Sequence, residues 1–166
     1  EKIVKKLTVE HMLHIPVLID TSVYLSAALA GQQYHAQSQK LLEKLDISHA
    51  GIFDLHVMSA NLKELNAAGN QLMNTYSLMN LNTLELLDLS GNSMLPFNEI
   101  DNIIRNNPQL TELGLSDIQV GFFPTYQNPT GQFYKFSKLN LDRTGLSTDL
   151  SSLDAYYRLK HLSIAG

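Results

Sequence analysis

In LELLDLSGNSM, residues 84–94, the apolar positions are Leu84, Leu87, Leu89 and Met94, and a polar Asn92 stands before the last of them. A helix places apolar residues at i, i+3, i+4 and i+7, and a half-buried strand alternates them. Offsets of 0, 3, 5 and 10 follow neither rule over their whole length. The same spacing returns along the chain. LEKLDISHAGI places Leu42, Leu45, Ile47 and Ile52 around Ala50, and LKELNAAGNQL places Leu62, Leu65, Ala67 and Leu72 around Asn70. LTELGLSDIQV has Leu110, Leu113, Leu115 and Val120 around Ile118, and FSKLNLDRTGL has Phe136, Leu139, Leu141 and Leu146 around Thr144. LKHLSIAG ends the chain with Leu159, Leu162 and Ile164.

The second apolar residue of each unit falls at 45, 65, 87, 113, 139 and 162, in steps of 20, 22, 26, 26 and 23 residues. Self-similarity at such periods marks a stacked array of supersecondary units. The pattern resembles the leucine-rich repeat family, whose signature is L-x-x-L-x-L-x-x-N/C-x-L, over residues 41–166. The resemblance implies an α/β solenoid, a right-handed superhelix of about six repeats with the last incomplete. A parallel β-sheet would line its concave face, and helix, 3-10 turns and loops would mix on the convex face. In that family x-x-L-x-L is a short strand with both leucines inward, and the inward asparagine satisfies backbone groups at the following turn. Such groups cost about 1–3 kcal/mol each when buried unpaired, and a carboxamide offers both donors and an acceptor. Asn70 and Asn92 keep the signature residue; Ala50, Ile118 and Thr144 replace it, so their turns are expected to be less tightly bonded. One repeat buries a few side chains at roughly 1.5–3 kcal/mol each, less than the entropy of ordering its backbone, so the repeats must stack.

Repeat length predicts the convex side. The 20- and 22-residue steps leave room for extended or 3-10 segments only. PFNEIDNIIRNNPQL predicts a helix capped by Asn98 with Asp101 at its third position, buried through Ile100, Ile103 and Ile104 and ended by Pro108. GFFPTYQNPTGQFYKF, with two prolines and two glycines, predicts a loop. Residues 147–157 predict a short helix with Leu150, Leu153 and Tyr157 inward. Residues 1–40 read as an N-terminal helical region or a degenerate first repeat. Val17 to Ile19 form a strand there and residues 23–42 a long helix behind Ser22 as N-cap. Leu7 and Val9 could open an earlier unit.

Composition narrows the setting. The 166 residues suit one domain, and 44% hydrophobic content supports a core. Net charge is −4, from 12 basic and 16 acidic residues, with no basic patch of the kind nucleic acid requires. There is no cysteine for disulfide-bonded end caps. The Asn128-Pro129-Thr130 sequon is blocked by its proline. A cytoplasmic or a bacterial secreted or surface setting is therefore favoured over a disulfide-rich eukaryotic extracellular one. Residues 15–30 are apolar and end in Ala28-Leu29-Ala30, but Asp20 in their midst argues against a signal peptide or a membrane span. The chain begins at Glu1 and stops inside a repeat strand, so it reads as a fragment of a longer protein.

The family resemblance makes the concave face the default binding surface. Spacing assigns to it, before each second leucine, Lys44, Glu64, Leu86, Glu112, Lys138 and His161. At the middle of each strand come Asp46, Asn66, Asp88, Gly114, Asn140 and Ser163. The surface is polar, mildly acidic around Glu64, Asp88 and Glu112, and suited to a basic or polar segment of a protein partner. Leu86, apolar at an expected exposed position, is a contact anchor. Partner-binding candidates are thus Glu64, Asn66, Leu86, Asp88, Glu112, Lys138 and Asn140, with Tyr126 added from the aromatic loop; these strand residues could equally be plain solvated surface. The phenylalanines of that loop, Phe122 and Phe133, read better as core plugs than as contacts.

Chemistry is absent from the motifs. No G-x-S-x-G, Walker loop or G-x-G-x-x-G occurs. His11 and His14 could share a helix face, but a metal site needs three or four ligands and none join them. No metal or cofactor is expected. IPVLIDTSVYLSAAL resembles the opening strand and helix of PIN-domain nucleases, in which an aspartate like Asp20 helps hold a divalent ion. That chemistry needs carboxylates from several segments, and the rest of the chain is repeat. The sequence therefore reads as a non-catalytic protein-interaction module. The alternatives are an adhesion or ligand-binding ectodomain of a bacterial surface protein, a targeting domain of a larger enzyme, and, far behind, a PIN-like nuclease. An uncapped last repeat would also permit end-to-end self-association.

Overall fold

A computed structural model describes residues 5–6, 43–55, 61–121, 123, 136–146 and 151–166. Seven short strands form one parallel sheet in sequence order: β1 (Lys5–Lys6), β2 (Lys44–Asp46), β3 (Glu64–Asn66), β4 (Leu86–Asp88), β5 (Glu112–Gly114), β6 (Lys138–Asn140) and β7 (His161–Ser163). The six strands β2 to β7 are those of the six repeats, and their second leucines stand in line: Leu45 beside Leu65, then Leu87, Leu113, Leu139 and Leu162. The strand paired with β2 is Lys5–Lys6, just ahead of Leu7. Val17 to Ile19, Ser22 and the expected helix behind it lie outside the described residues, as do His11, His14 and Asp20.

Each strand from β2 to β5 buries its middle residue and half-exposes the two flanking ones. The buried leucines continue through Ile47, Ala67, Leu89, Leu115 and Leu141 and back through Leu62, Leu84, Leu110 and Phe136 into one core. Position four after each second leucine adopts a left-handed backbone: His49, Gly69, Gly91, Asp117 and Arg143 have φ of 56°, 67°, 76°, 63° and 54°. This residue turns the chain off the sheet, and where it is not glycine the non-glycine conformation carries a cost.

The asparagines act across repeats. Asn70 Oδ1 accepts the N–H groups of Ala50 (3.0 Å) and Ile52 (3.1 Å), and Asn70 Nδ2 donates to the carbonyls of Ile47 and Ala67. Asn92 Oδ1 accepts Leu72 N–H at 3.1 Å, and its Nδ2 donates to the carbonyls of Ala67 and Leu89. Each asparagine therefore serves the turn of the preceding repeat as well as its own. The expectation of a loosely bonded turn at Ala50 is corrected by this geometry, since Asn70 supplies what Ala50 lacks. At Thr144 the backbone carbonyl takes Val120 N–H (2.9 Å), and the hydroxyl donates to Leu141 (2.8 Å).

Ile118 carries no oxygen for the turn before it, and that turn closes on itself. Asn92 N–H bonds Leu89 and Leu95 N–H bonds the Asn92 carbonyl. The tightening swings Met94 outward to 53% exposure and buries Leu95 in its place, which corrects Met94 as the closing apolar residue. The helix that follows, α1 (Phe97–Asn106), begins two residues earlier than expected. Pro96 occupies the N-cap, without a side-chain bond, and Asn98 lies inside the helix. Proline's fixed φ suits a helix start. Glu99 rather than Asp101 is the working acid there: it is buried, and its Oε2 accepts both the N–H (2.9 Å) and the hydroxyl (3.0 Å) of Thr75. Ile100, Ile103 and Ile104 face the core as expected, and Asn107 ends the helix ahead of Pro108.

The 22-residue repeat carries a 3-10 turn at Tyr76–Asn80, as its length predicts. The expected helix over 147–157 is a 3-10 turn at Ser151–Ala155; residues 147–150 lie outside the described residues. Leu153 is buried, but Tyr157 is 69% exposed and Tyr156 is the inward ring. Tyr156 meets Phe123 at 5.4 Å and Phe136 at 5.7 Å between centroids, and Phe123 meets Phe136 at 6.3 Å. Burial pushes the Tyr156 phenol well above its ordinary pKa, with the Asp101 charge adding to the effect. Phe122 and Phe133 lie outside the described residues.

The last repeat is held by a side chain of the one before it. Asp142 Oδ1 accepts the Ser163 hydroxyl and Ala165 N–H, both at 2.7 Å. The Ser163 bond, then the Ala165 bond, holds the Asp142 carboxyl below its ordinary value of 3.8. A depressed acid stabilises the fold fully above that value and ceases to do so as pH falls through its lower folded value. Asp142→Ala should therefore melt below wild type at neutral pH, with the gap narrowing below pH 3.8. A gap independent of pH in circular-dichroism melts would contradict this.

Candidate functional site

The sheet aligns the outward side chains into two rows. Cross-strand register sets Lys44, Glu64, Leu86, Glu112, Lys138 and His161 side by side, and beside them Asp46, Asn66, Asp88, Gly114, Asn140 and Ser163. Seven of the eight sequence candidates, all but Tyr126, thus share one face of four adjacent strands. Tyr126 lies outside the described residues.

Charges in the first row pair across strands. Lys44 Nζ is 2.5 Å from Glu64 Oε1, and Lys138 Nζ is 3.7 Å from Glu112 Oε2. Directly opposed opposite charges support the sheet modestly and remove Glu64 and Glu112 as bare acids. Leu86 lies between those two glutamates and is half-buried rather than exposed.

The second row has a structural task that was not foreseen. Asp46 Oδ1 accepts Ser48 N–H (3.0 Å), Asn66 Oδ1 accepts Ala68 N–H (3.2 Å), Asp88 Oδ1 accepts Ser90 N–H (2.9 Å) and Asn140 Oδ1 accepts Asp142 N–H (3.3 Å). Each is an Asx turn that leads the strand into its bend. The recurrence of Asp or Asn at the same repeat position was the available signal. Gly114 cannot make this bond; Ser116 N–H instead reaches Ser90 Oγ at 3.1 Å.

Gly114 also opens the face. A depression of about 170 Å³ sits over it, walled by Leu86, Asp88, Glu112, Lys138 and Asn140 and floored by Leu87 and Leu113. Five of the seven described candidates line it. Among the described residues no group of three His, Cys, Asp or Glu side chains converges as a metal site, and no helix is long and apolar enough to cross a membrane.

No family model matches the sequence, and no curated protein does. Solved structures do match. Internalin C2 from Listeria monocytogenes superposes with a TM-score of 0.60 at 22% identity, over 77% of this chain and 54% of that one. A leucine-rich-repeat protein from Leptospira interrogans gives 0.63 at 26% identity, over 82% of this chain and 34% of that one. The functional domain of InlJ from Listeria monocytogenes, which includes a cysteine ladder, gives 0.58 at 21% identity, over 78% and 26%. This chain has no cysteine. It spans about half the length of the first of these proteins and a third or less of the other two.

Proposed function

The chain is a leucine-rich-repeat solenoid, and from that premise we propose that it is a non-catalytic protein-interaction module whose concave β-face binds a protein partner. The observation that carries the reading is the clustering of Leu86, Asp88, Glu112, Lys138 and Asn140 around one depression on an otherwise solvated sheet. Glu64 and Asn66 extend the same face on β3. The partner surface is a basic or polar segment of extended chain. Residues 41–166 form the binding domain and residues 1–40 a segment ahead of it.

The test is capture of partners from a lysate by wild type beside a Leu86→Glu, Glu112→Lys double variant. These two positions are cross-strand neighbours, so the exchange sets a new Glu–Lys pair in place of the Glu112–Lys138 pair it breaks, while it removes the apolar anchor and inverts a charge. Asp88→Lys is avoided because it would also break the Ser90 turn bond. Loss of a captured protein in the variant is the expected result; equal capture by both would move the site off the concave strands.

A bacterial secreted or surface setting is the second part of the reading; the Listeria and Leptospira sources of the matching structures support its bacterial half. Fractionation of cells carrying the full-length gene product tests it, and recovery only in the cytosol would count against it. Leu162 on β7 and Ile164 just after it are 43% and 38% exposed, where their counterparts in earlier repeats are buried. This apolar surface supports end-to-end self-association of the isolated chain, which sedimentation would reveal as a concentration-dependent mass.

A further inference from the structure

A glycine inside a strand weakens it, through unfolded-state entropy and lost packing, and often marks close approach by a ligand or another backbone. Gly114 is the last residue of the three-residue strand β5 and stands among Asp, Asn and Ser at the equivalent positions. It is not among the glycines with positive φ, so its backbone does not demand glycine. Space does. A Cβ at Gly114 would lie 2.4 Å from Asp88 Oδ1, 2.9 Å from Asp88 Cγ and 3.1 Å from Ser90 Oγ. The Asp88 carboxylate leans over the glycine and borders the 170 Å³ depression there. That volume equals five or six waters at roughly 30 Å³ each, the room of one long side chain.

The charge around the depression is not balanced. Glu112 faces Lys138, and these cancel; Asn140 is neutral; Asp88 carries the remaining charge. Leu86 supplies an apolar wall. We infer that the depression receives one lysine or arginine side chain from an extended segment of the partner, its aliphatic stem along Leu86 and its cationic head at Asp88. The inference rests on the concave sheet being the binding face. Gly114 is then a specificity determinant, since any side chain there fills the depression and displaces the acid.

The test selects binders from a phage-displayed library of linear peptides against the wild-type chain, followed by affinity measurement on variants whose thermal unfolding confirms folding. Asp88→Asn is the cleaner variant, because Asn66 and Asn140 make the same turn bond at the equivalent positions. Gly114→Ala is the second. The expected result is one fixed Lys or Arg position among the selected peptides, and a loss of about tenfold or more in affinity on either variant, the order of one charge pair. Peptides with no basic position, or with affinity unchanged by both variants yet weakened by Leu86→Glu, overturn the depression as a basic-side-chain site and leave the concave reading standing. No binder, or binders indifferent to every concave substitution, overturns both.

Discussion

Phe136→Ala is expected to destabilise the chain by about 3–5 kcal/mol, the range for removing a large buried aromatic ring. Phe136 is fully buried at the position that leucine holds in the preceding repeats. Its ring joins those of Phe123, from the long connection after β5, and Tyr156, from the connection after β6. Its two ring contacts, one edge-to-face and one tilted, add to plain burial at about 0.5–1.5 kcal/mol per pair. Urea unfolding measures the loss. Phe136→Leu, which restores the repeat consensus, should recover part of it. A change below about 1 kcal/mol would mean that the ring does not plug the core.

Asn92→Ala is expected to cost about 2–4 kcal/mol despite removing only a polar side chain. Asn92 is fully buried and its three hydrogen bonds end on backbone groups of two repeats. The effects on those groups differ. Ala67 O keeps Asn70, and Leu89 O keeps the Asn92 N–H, but Leu72 N–H has its bond to Asn92 Oδ1 removed outright. The loss should therefore concentrate one repeat upstream of the substitution. Amide exchange would show it as faster opening at Leu72; a loss confined to residues 89–95 would contradict the bridging role.

Much of the architecture was legible because a repeated spacing records a repeated environment. The buried leucines of β2 to β6 and the residues presented on the other side of the sheet follow from one offset applied at each unit, and they agree with the pairing register. Where the repeat departs from its own rule, local bonding decides. Met94 sat at the right spacing, but Ile118 offers no side-chain oxygen to that turn, and the closing role passes one residue on to Leu95. Asn98 was an acceptable cap in sequence, yet Pro96 already held a φ suited to starting the helix. Tyr156 and Tyr157 are adjacent and chemically alike, and only the position of Phe123 and Phe136 selects between them.

The candidate site was legible as a set of residues and not as a shape. Register alone placed Glu64, Leu86 and Glu112 together. The pairing of Glu112 with Lys138 depends on side-chain directions that no spacing encodes, whereas the turn bonds of Asp88 and Asn140 were signalled by the recurrence of Asp or Asn at one repeat position. Spacing placed Gly114 on this face without marking it as a candidate; its meaning comes from the Asp88 carboxylate that fills the space.

The reach of Asn70 and Asn92 into the turn before their own gives the solenoid a direction. Every such unit holds the latch of its predecessor, so the two ends are not equivalent under cutting or pulling. Trimming from the amino end removes repeats whose turns were served by others and leaves the remaining latches closed. Trimming from the carboxyl end springs the turn behind it wherever the unit removed carries such an asparagine. Shortened chains ending just before β4 should thus fray at Leu72, while chains starting just after β3 should keep Asn92 seated on its own turn. A duplication that copies a unit together with its asparagine lengthens the array without leaving an open latch, which makes growth by whole-unit copying the forgiving way for such a chain to change its reach.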